Sequence, residues 1–121
     1  MALYDVTQIA LEKALVGASM RQRVLADNLA NVNTAGFKRS ELDFQSALSD
    51  ALDGGTDAKS LDELGFQAQV EGGGPVRADG NDVDVDAEMA HMNENSVTYQ
   101  AIVAVAKQRL QMIQTALGST H

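Results

Sequence analysis

The chain has 121 residues, the size of one domain, and only 4% of them are aromatic, with no Trp, against 45% hydrophobic overall. Its apolar surface is therefore Ala, Val, Leu, Ile and Met, which suits helix stripes and not a deep aromatic-lined pocket. Seventeen acidic against nine basic side chains give a net charge of -8, which disfavours nucleic acid or anionic lipid as a partner, and the absence of Cys excludes disulfides and thiolate metal sites.

At the N-terminus, Glu12, Lys13, Arg21 and Arg23 interrupt the apolar run that a secretory signal requires, and the most apolar stretch, Ala101 to Ala106, is far too short to span a bilayer. The expectation is a soluble, uncleaved chain. The first helix is predicted to start at Asp5, a cap whose bond Gln8 returns as a capping box, with Tyr4 and Ile9 at the staple positions. Leu11, Leu15, Ala18, Gln22, Leu25, Leu29 and Val32 then follow at alternating spacings of four and three, the a/d seam of a coiled coil with one polar interruption at Gln22. Gly36 is the expected left-handed stop.

Seven of the ten glycines fall between Gly54 and Gly80, including Gly72-Gly73-Gly74 before Pro75, so residues 49–80 read as irregular, with a short strand at Phe66 to Val70. The last helix begins near Asp84 or Asp86, where carboxylates suit the positive end of the helix dipole. Its seam is Met89, Met92, Ser96, Tyr99, Val103, Ala106, Leu110, Ile113 and Leu117. The expected fold is mainly α: long N- and C-terminal helices packing as a coiled-coil-like hairpin, joined by a long Gly/Asp-rich irregular region with at most short strands. The predicted segments are 1–36 (axial helix and turn), 37–83 (extended loop region) and 84–121 (C-terminal axial helix), within one structural domain.

Ile9, Val16, Met20 and Val24, with Ile102, Val105 and Met112, lie off the two seams. Burial of such side chains stabilises by roughly 1.5 to 3 kcal/mol each, so partner chains are expected to cover them. Charge is segregated as well: residues 1–40 carry five basic and three acidic side chains, residues 41–98 two basic and fourteen acidic, and residues 99–121 two basic and none acidic. The acidic middle is expected at larger radius than the helices, with Lys38 and Arg39 near carboxylates of an adjacent subunit or partner.

Asp82, Asp84, Asp86 and Glu88 alternate like calcium ligands, but Ala87 stands where the loop needs Gly and Asn93 where it needs a bidentate Glu; a helix cap is the reading. His91 has no second His or Cys within helix spacing, and no Gly-x-Ser-x-Gly elbow or phosphate-binding glycine loop occurs. Met89, Met92 and Met112 are apolar filling. No catalytic, cofactor-binding or metal-binding residue is expected.

Residues 26–44, Ala-Asp-Asn-Leu-Ala-Asn-Val-Asn-Thr-Ala-Gly-Phe-Lys-Arg-Ser-Glu-Leu-Asp-Phe, closely resemble the N-terminal motif of bacterial flagellar rod and hook proteins, with Asn28, Asn31, Thr34, Gly36, Phe37 and Lys38 at its turn and Ala35 where the family usually has Pro. Residues 79–100 resemble the C-terminal signature of a short member of that family, through Asp79, Gly80, Asn81, Val83, Asp84, Asp86, Glu88, Met89, Tyr99 and Gln100. The resemblance implies a structural subunit of the proximal rod, exported through the flagellar type III apparatus without a cleaved signal and assembled in the periplasm. Its implied partners are copies of itself, other rod proteins, and the rod adaptor protein and MS ring at the base, with no cofactor, nucleic acid or small-molecule substrate. The implied assembly interface is the two seams: Leu11, Leu15, Ala18, Leu25, Leu29 and Val32, with Tyr99, Val103, Ala106, Leu110, Ile113 and Leu117. A sister proximal rod protein, or a small acidic helical adaptor or export chaperone, is the alternative.

Overall fold

Each helix start is marked by an aspartate. In the computed structural model, which describes residues 5–118, the elements in order are α1 (Val6–Ala30), β1 (Ser40–Glu41), α2 (Phe44–Asp53), α3 (Ala58–Asp62), β2 (Gln69–Val70) and α4 (Val85–Gly118). Asp5, Asp43 and Asp57 accept the N–H groups of Gln8, Ser46 and Ser60 at 3.0, 3.1 and 2.8 Å, and Asp84 accepts those of Asp86 and Ala87. Asp5 thus caps α1 as expected, but the Gln8 amide turns to Glu12 instead of closing a capping box. Tyr4 of the expected staple lies outside the described residues.

The hairpin of α1 and α4 is antiparallel: Asp5 meets Arg109, Ala18 meets Asn95 and Asn28 meets Glu88. At 1.5 Å per residue the helices are roughly 37 and 51 Å long. Two corrections concern the middle. Residues 49–80 are not irregular throughout, because Phe44, Ala47, Leu48, Ala51 and Leu52 give α2 a helical stripe and Asp57 starts a further turn at α3. The expected strand shrinks to Gln69–Val70, which pairs antiparallel with Ser40–Glu41.

That middle segment also supplies a core that the seams did not foretell. Ala18, Leu42, Phe44 and Phe66 form its centre, with the two rings edge to face at 6.3 Å, and Met20, Val24 and Ile102 pack around them. Leu61 of α3 and Ile9 of α1 are buried too. Of the off-seam residues assigned to partner chains, Ile9, Met20, Val24 and Ile102 are therefore covered by the chain itself, whereas Val16, Val105 and Met112 stay exposed. Gly17 explains how α2 comes so close: a Cβ there would stand 2.6 Å from the Phe44 side chain. The helix α1 ends at Ala30, and Gly36, though at φ +73°, shapes a later turn and does not cap the helix.

The seam of α4 is turned relative to expectation. Its buried residues are Glu88 and Asn95, seven apart, and Ile102 and Arg109 continue the same line at the same interval. Tyr99, Leu110 and Leu117 of the expected seam are exposed, and Val103, Ala106 and Ile113 half-buried. On α1, Ala18 and Leu25 are buried, and Leu11, Leu15, Leu29 and Val32 half-buried. Polar residues took the inward line because α1 offers them partners there.

Candidate assembly site

The two motifs that lie about fifty residues apart in the sequence form one clasp. After α1 the chain turns through Asn31 and Thr34, whose side chains bond to each other at 3.1 Å, so the turn closes with Ala35 in place of proline. Gly36, at φ +73°, donates its N–H to the Asp79 carbonyl at 2.8 Å, and Gly80, at φ +84°, lies against it. Both glycines answer to the left-handed backbone. Between them sits Asn81, fully buried, whose amide donates to the Asn31 and Thr34 carbonyls at 2.9 and 2.8 Å and whose Oδ1 accepts the Val83 N–H at 2.7 Å. Both amide hydrogens and the carbonyl oxygen of that side chain are engaged.

Cations finish the clasp. The Arg77 guanidinium donates to the Val83 carbonyl at 2.6 Å and to the Val32 carbonyl, and the Lys38 ammonium to the Gly80 carbonyl. The Arg39 N–H donates to Asp82 at 2.7 Å. One turn away, Asn28, also buried, donates to the Ser40 carbonyl at 2.8 Å and to Glu88, and accepts the Ser40 N–H at 2.9 Å.

An ionic knot lies beneath. The Arg39 guanidinium, 13% exposed, faces Glu41, Glu71 and the fully buried Glu88, while Arg21 grips Glu41 with two bonds at 2.8 and 3.2 Å. Burial alone would push the Glu41 carboxyl up, but the bonds from Arg21, the Leu42 N–H and Arg39 outweigh it and hold it at about 2. Burial opposes the charge on Arg39, yet the bond and charge of Glu88, with Glu41 and Glu71, raise its pKa further above the ordinary arginine value. The hydrogen bond from Arg21 to Glu41 raises that of Arg21. Lys38 and Arg39 therefore take partners inside the chain, not, as the sequence suggests, carboxylates of an adjacent subunit or partner.

Of the motif residues, Asn31, Thr34, Gly36 and Lys38 meet Asp79, Gly80 and Asn81 in the clasp, Val83 is held there by Asn81 and Arg77, Asn28 bonds to Ser40 and Glu88, the Phe37 carbonyl accepts the Asp82 N–H, Asp84 caps α4 and Glu88 enters the knot. Asp86 is exposed in the first turn of α4, and Met89, Tyr99 and Gln100 stand in water farther along it. Sequence reasoning missed Arg21, Glu41 and Asn95. The seven-residue interval from Glu88 to Asn95 was the available signal, hidden because the eye follows apolar repeats.

Beyond the clasp, α1 and α4 leave a groove on one flank. Ser19, Tyr99, Leu15, Val103 and Leu110 line it, with Lys107 and Arg23 at its rim. It is open and shallow, and among the described residues no cluster of His, Cys, Asp or Glu could hold a metal. No helix of the described residues is long and apolar enough to cross a membrane.

Terminal helices clasped at one end, with an apolar flank open along their length, define an axial structural subunit. Residues 10–38, from the second turn of α1 to the clasp lysine, match the family described as flagella basal body rod protein. The chain is 31% identical to flagellar basal body rod protein FlgB of Bacillus subtilis over 125 residues, covering 97% of both, and 32% identical to that of Borrelia hermsii over 117 residues, covering 82% of this chain and 86% of the relative. Against the Escherichia coli protein of the same name identity is 28% over 124 residues, covering 89% and 90%. The chain belongs to the FlgB family of flagellar basal body rod proteins, structural subunits of the proximal rod. It resides in the basal body and assembles with other rod components; the family is not known as enzymatic.

Proposed function

We propose that this chain polymerises with copies of itself and the other rod proteins into the helical drive shaft that carries motor torque, and that its work is mechanical, not catalytic. The observation that carries this reading is the unmatched apolar surface of the hairpin: Val16, Tyr99, Val105, Leu110 and Met112 are 41 to 66% exposed, on helices whose clasp already fixes them to each other. The assembly interface then comprises the seam residues on the open flank, Leu11, Leu15, Tyr99, Val103, Ala106, Leu110, Ile113 and Leu117, while Ala18, Leu25, Leu29 and Val32 hold the hairpin that presents them. Segments 1–36 and 84–121 form the axial layer, and 37–83 lies at larger radius. Periplasmic assembly on the rod adaptor and MS ring, after export through the type III apparatus, completes the reading.

Leu110→Asp tests it. A carboxylate on an exposed helix position leaves the subunit folded and exportable but is desolvated at an interface repeated in every copy. The expected result is secreted protein and no swimming; normal swimming would refute the reading. Leu25→Asp is unsuitable, since Leu25 is buried within the chain and the variant would unfold.

A further inference from the structure

The helix α4 carries no charge from Asn95 to Ala106, twelve residues and more than three turns. One line of that band faces α1, but Val97 is 66% and Val105 51% exposed, and Ala101 and Ala104 lie in water between them. An uncharged helix face that exposes valines and alanines is one that gains stability when a partner covers it. The rest of the chain does not do this, because α2 and α3 rest on α1 and only Ile102 of α4 joins their core.

At about 100° per residue, Val97, Ala101, Ala104 and Val105 form a stripe on the side of α4 roughly opposite Tyr99, Val103 and Leu110, the α4 wall of the groove. A convex apolar stripe on one flank and a concave apolar groove on the other cannot meet within one molecule. Between two copies they can, in a head-to-tail contact that repeats. We infer that the uncharged stripe of α4, Val97 to Val105, seats in the α1/α4 groove of the next copy, and that this contact, deepening the polymerisation reading on which it rests, sets the direction of assembly.

Charge supports a second copy as the occupant. The groove rim carries Arg23 and Lys107, both exposed and making no ion pair among the described residues, against a single exposed acid, Glu12, so the charge it presents is net positive. The stripe begins one turn after Glu94, whose side chain is 71% exposed and holds Arg21 only at 3.8 Å. An acid at the end of the stripe and cations at the rim of the groove attract in one sense of docking. Two grooves face to face would set like charges together.

The chain has no cysteine, so introduced ones report cleanly. Full-length Val97→Cys, Ala101→Cys and Ala104→Cys variants carrying one tag are mixed, under conditions of rod assembly, with variants carrying another tag, Ser19→Cys and Ser96→Cys, at residues that line the groove beside Tyr99, and oxidised. A disulfide needs Cα atoms within about 7 Å, so mixed-tag dimers joining stripe to groove are expected. Val105→Arg should weaken self-association about tenfold or more with unchanged circular dichroism. Assembly that proceeds with same-tag dimers only, or with no cross-link, overturns the docking and leaves the polymerisation reading standing. Failure of the unsubstituted chain to associate under those conditions overturns both.

Discussion

The helices α1 and α4 have similar compositions and opposite fates. The first is enclosed: α4 covers one face and α2, α3 and the short sheet cover another, so that Ile9, Ala18 and Leu25 are buried and Lys13 reaches the Leu64 carbonyl at 2.9 Å. The second is buried deeply along one line only, held mainly by the polar side chains of Glu88, Asn95 and Arg109. The difference shows that this subunit is folded as a monomer around α1 and unfinished around α4. A hairpin fastened by apolar packing alone could slide by a heptad; Glu88, Asn95 and Arg109, each with a distinct partner on or beside α1, fix the register and leave the apolar residues of α4 for other uses.

The sharpest way to break that contrast is to disarm the knot. Arg39→Met leaves Glu88 buried without its guanidinium, and removal of one member of a buried pair costs about 3 to 5 kcal/mol. Urea denaturation of the isolated chain should show that loss, with Glu88→Gln partly restoring stability in the Arg39→Met background because the stranded charge is gone. An unchanged midpoint would mean that the knot does not hold the register.

A smaller loss is expected where α1 meets α2. Gly17→Ala places a methyl 2.6 Å from Phe44, and overpacking of this kind costs about 1 to 3 kcal/mol. Near-ultraviolet circular dichroism should report the displaced Phe44–Phe66 pair. If Gly17→Ala is neutral, α2 is not seated on α1 as described.

Acid should act on the enclosed side through Glu41. The Glu41 carboxyl has its folded pKa depressed to about 2 from an ordinary 4.5, so its contribution is fully present above pH 4.5 and is lost as pH falls toward 2. The loss is at most about 3 kcal/mol. Glu41→Gln should be less stable than the parent at pH 7 and flatten the pH dependence of stability between pH 4.5 and 2; a parallel dependence in the two proteins would remove Glu41 from the account.

These sites were legible to different degrees, for physical reasons. The two long helices were readable from apolar periodicity and from Asp5 and Asp84, because a helix must satisfy its first N–H groups locally. The rotation of α4 was not, since residues on neighbouring lines, such as Ile102 and Val103, are equally apolar and only the partners of Glu88 and Asn95 decide which line turns inward. The glycines of the middle segment hid α2, whose Asp43 cap and stripe of Phe44, Ala47, Leu48 and Ala51 precede them. The clasp motifs were visible as two strings, but their union depends on Asn81 reaching carbonyls fifty and forty-seven residues away, a pairing that no local pattern encodes.

The least disruptive change tests the contrast from its other side. Val97→Thr keeps a β-branched shape with similar helix propensity and exchanges one methyl for a hydroxyl at a position 66% exposed. With no neighbouring element of the same chain to be desolvated against, the hydroxyl stays hydrated, and the isolated monomer should change stability by no more than about 0.5 kcal/mol. Between copies the same hydroxyl would enter an apolar groove without a partner and weaken assembly. The informative measurement is therefore a pair: urea midpoint at a concentration where the chain is monomeric, and sedimentation where it associates. A clear loss in the first would show that the exposed face of α4 is already engaged within one chain, and the distinction between an enclosed α1 and an unfinished α4 would fall with it.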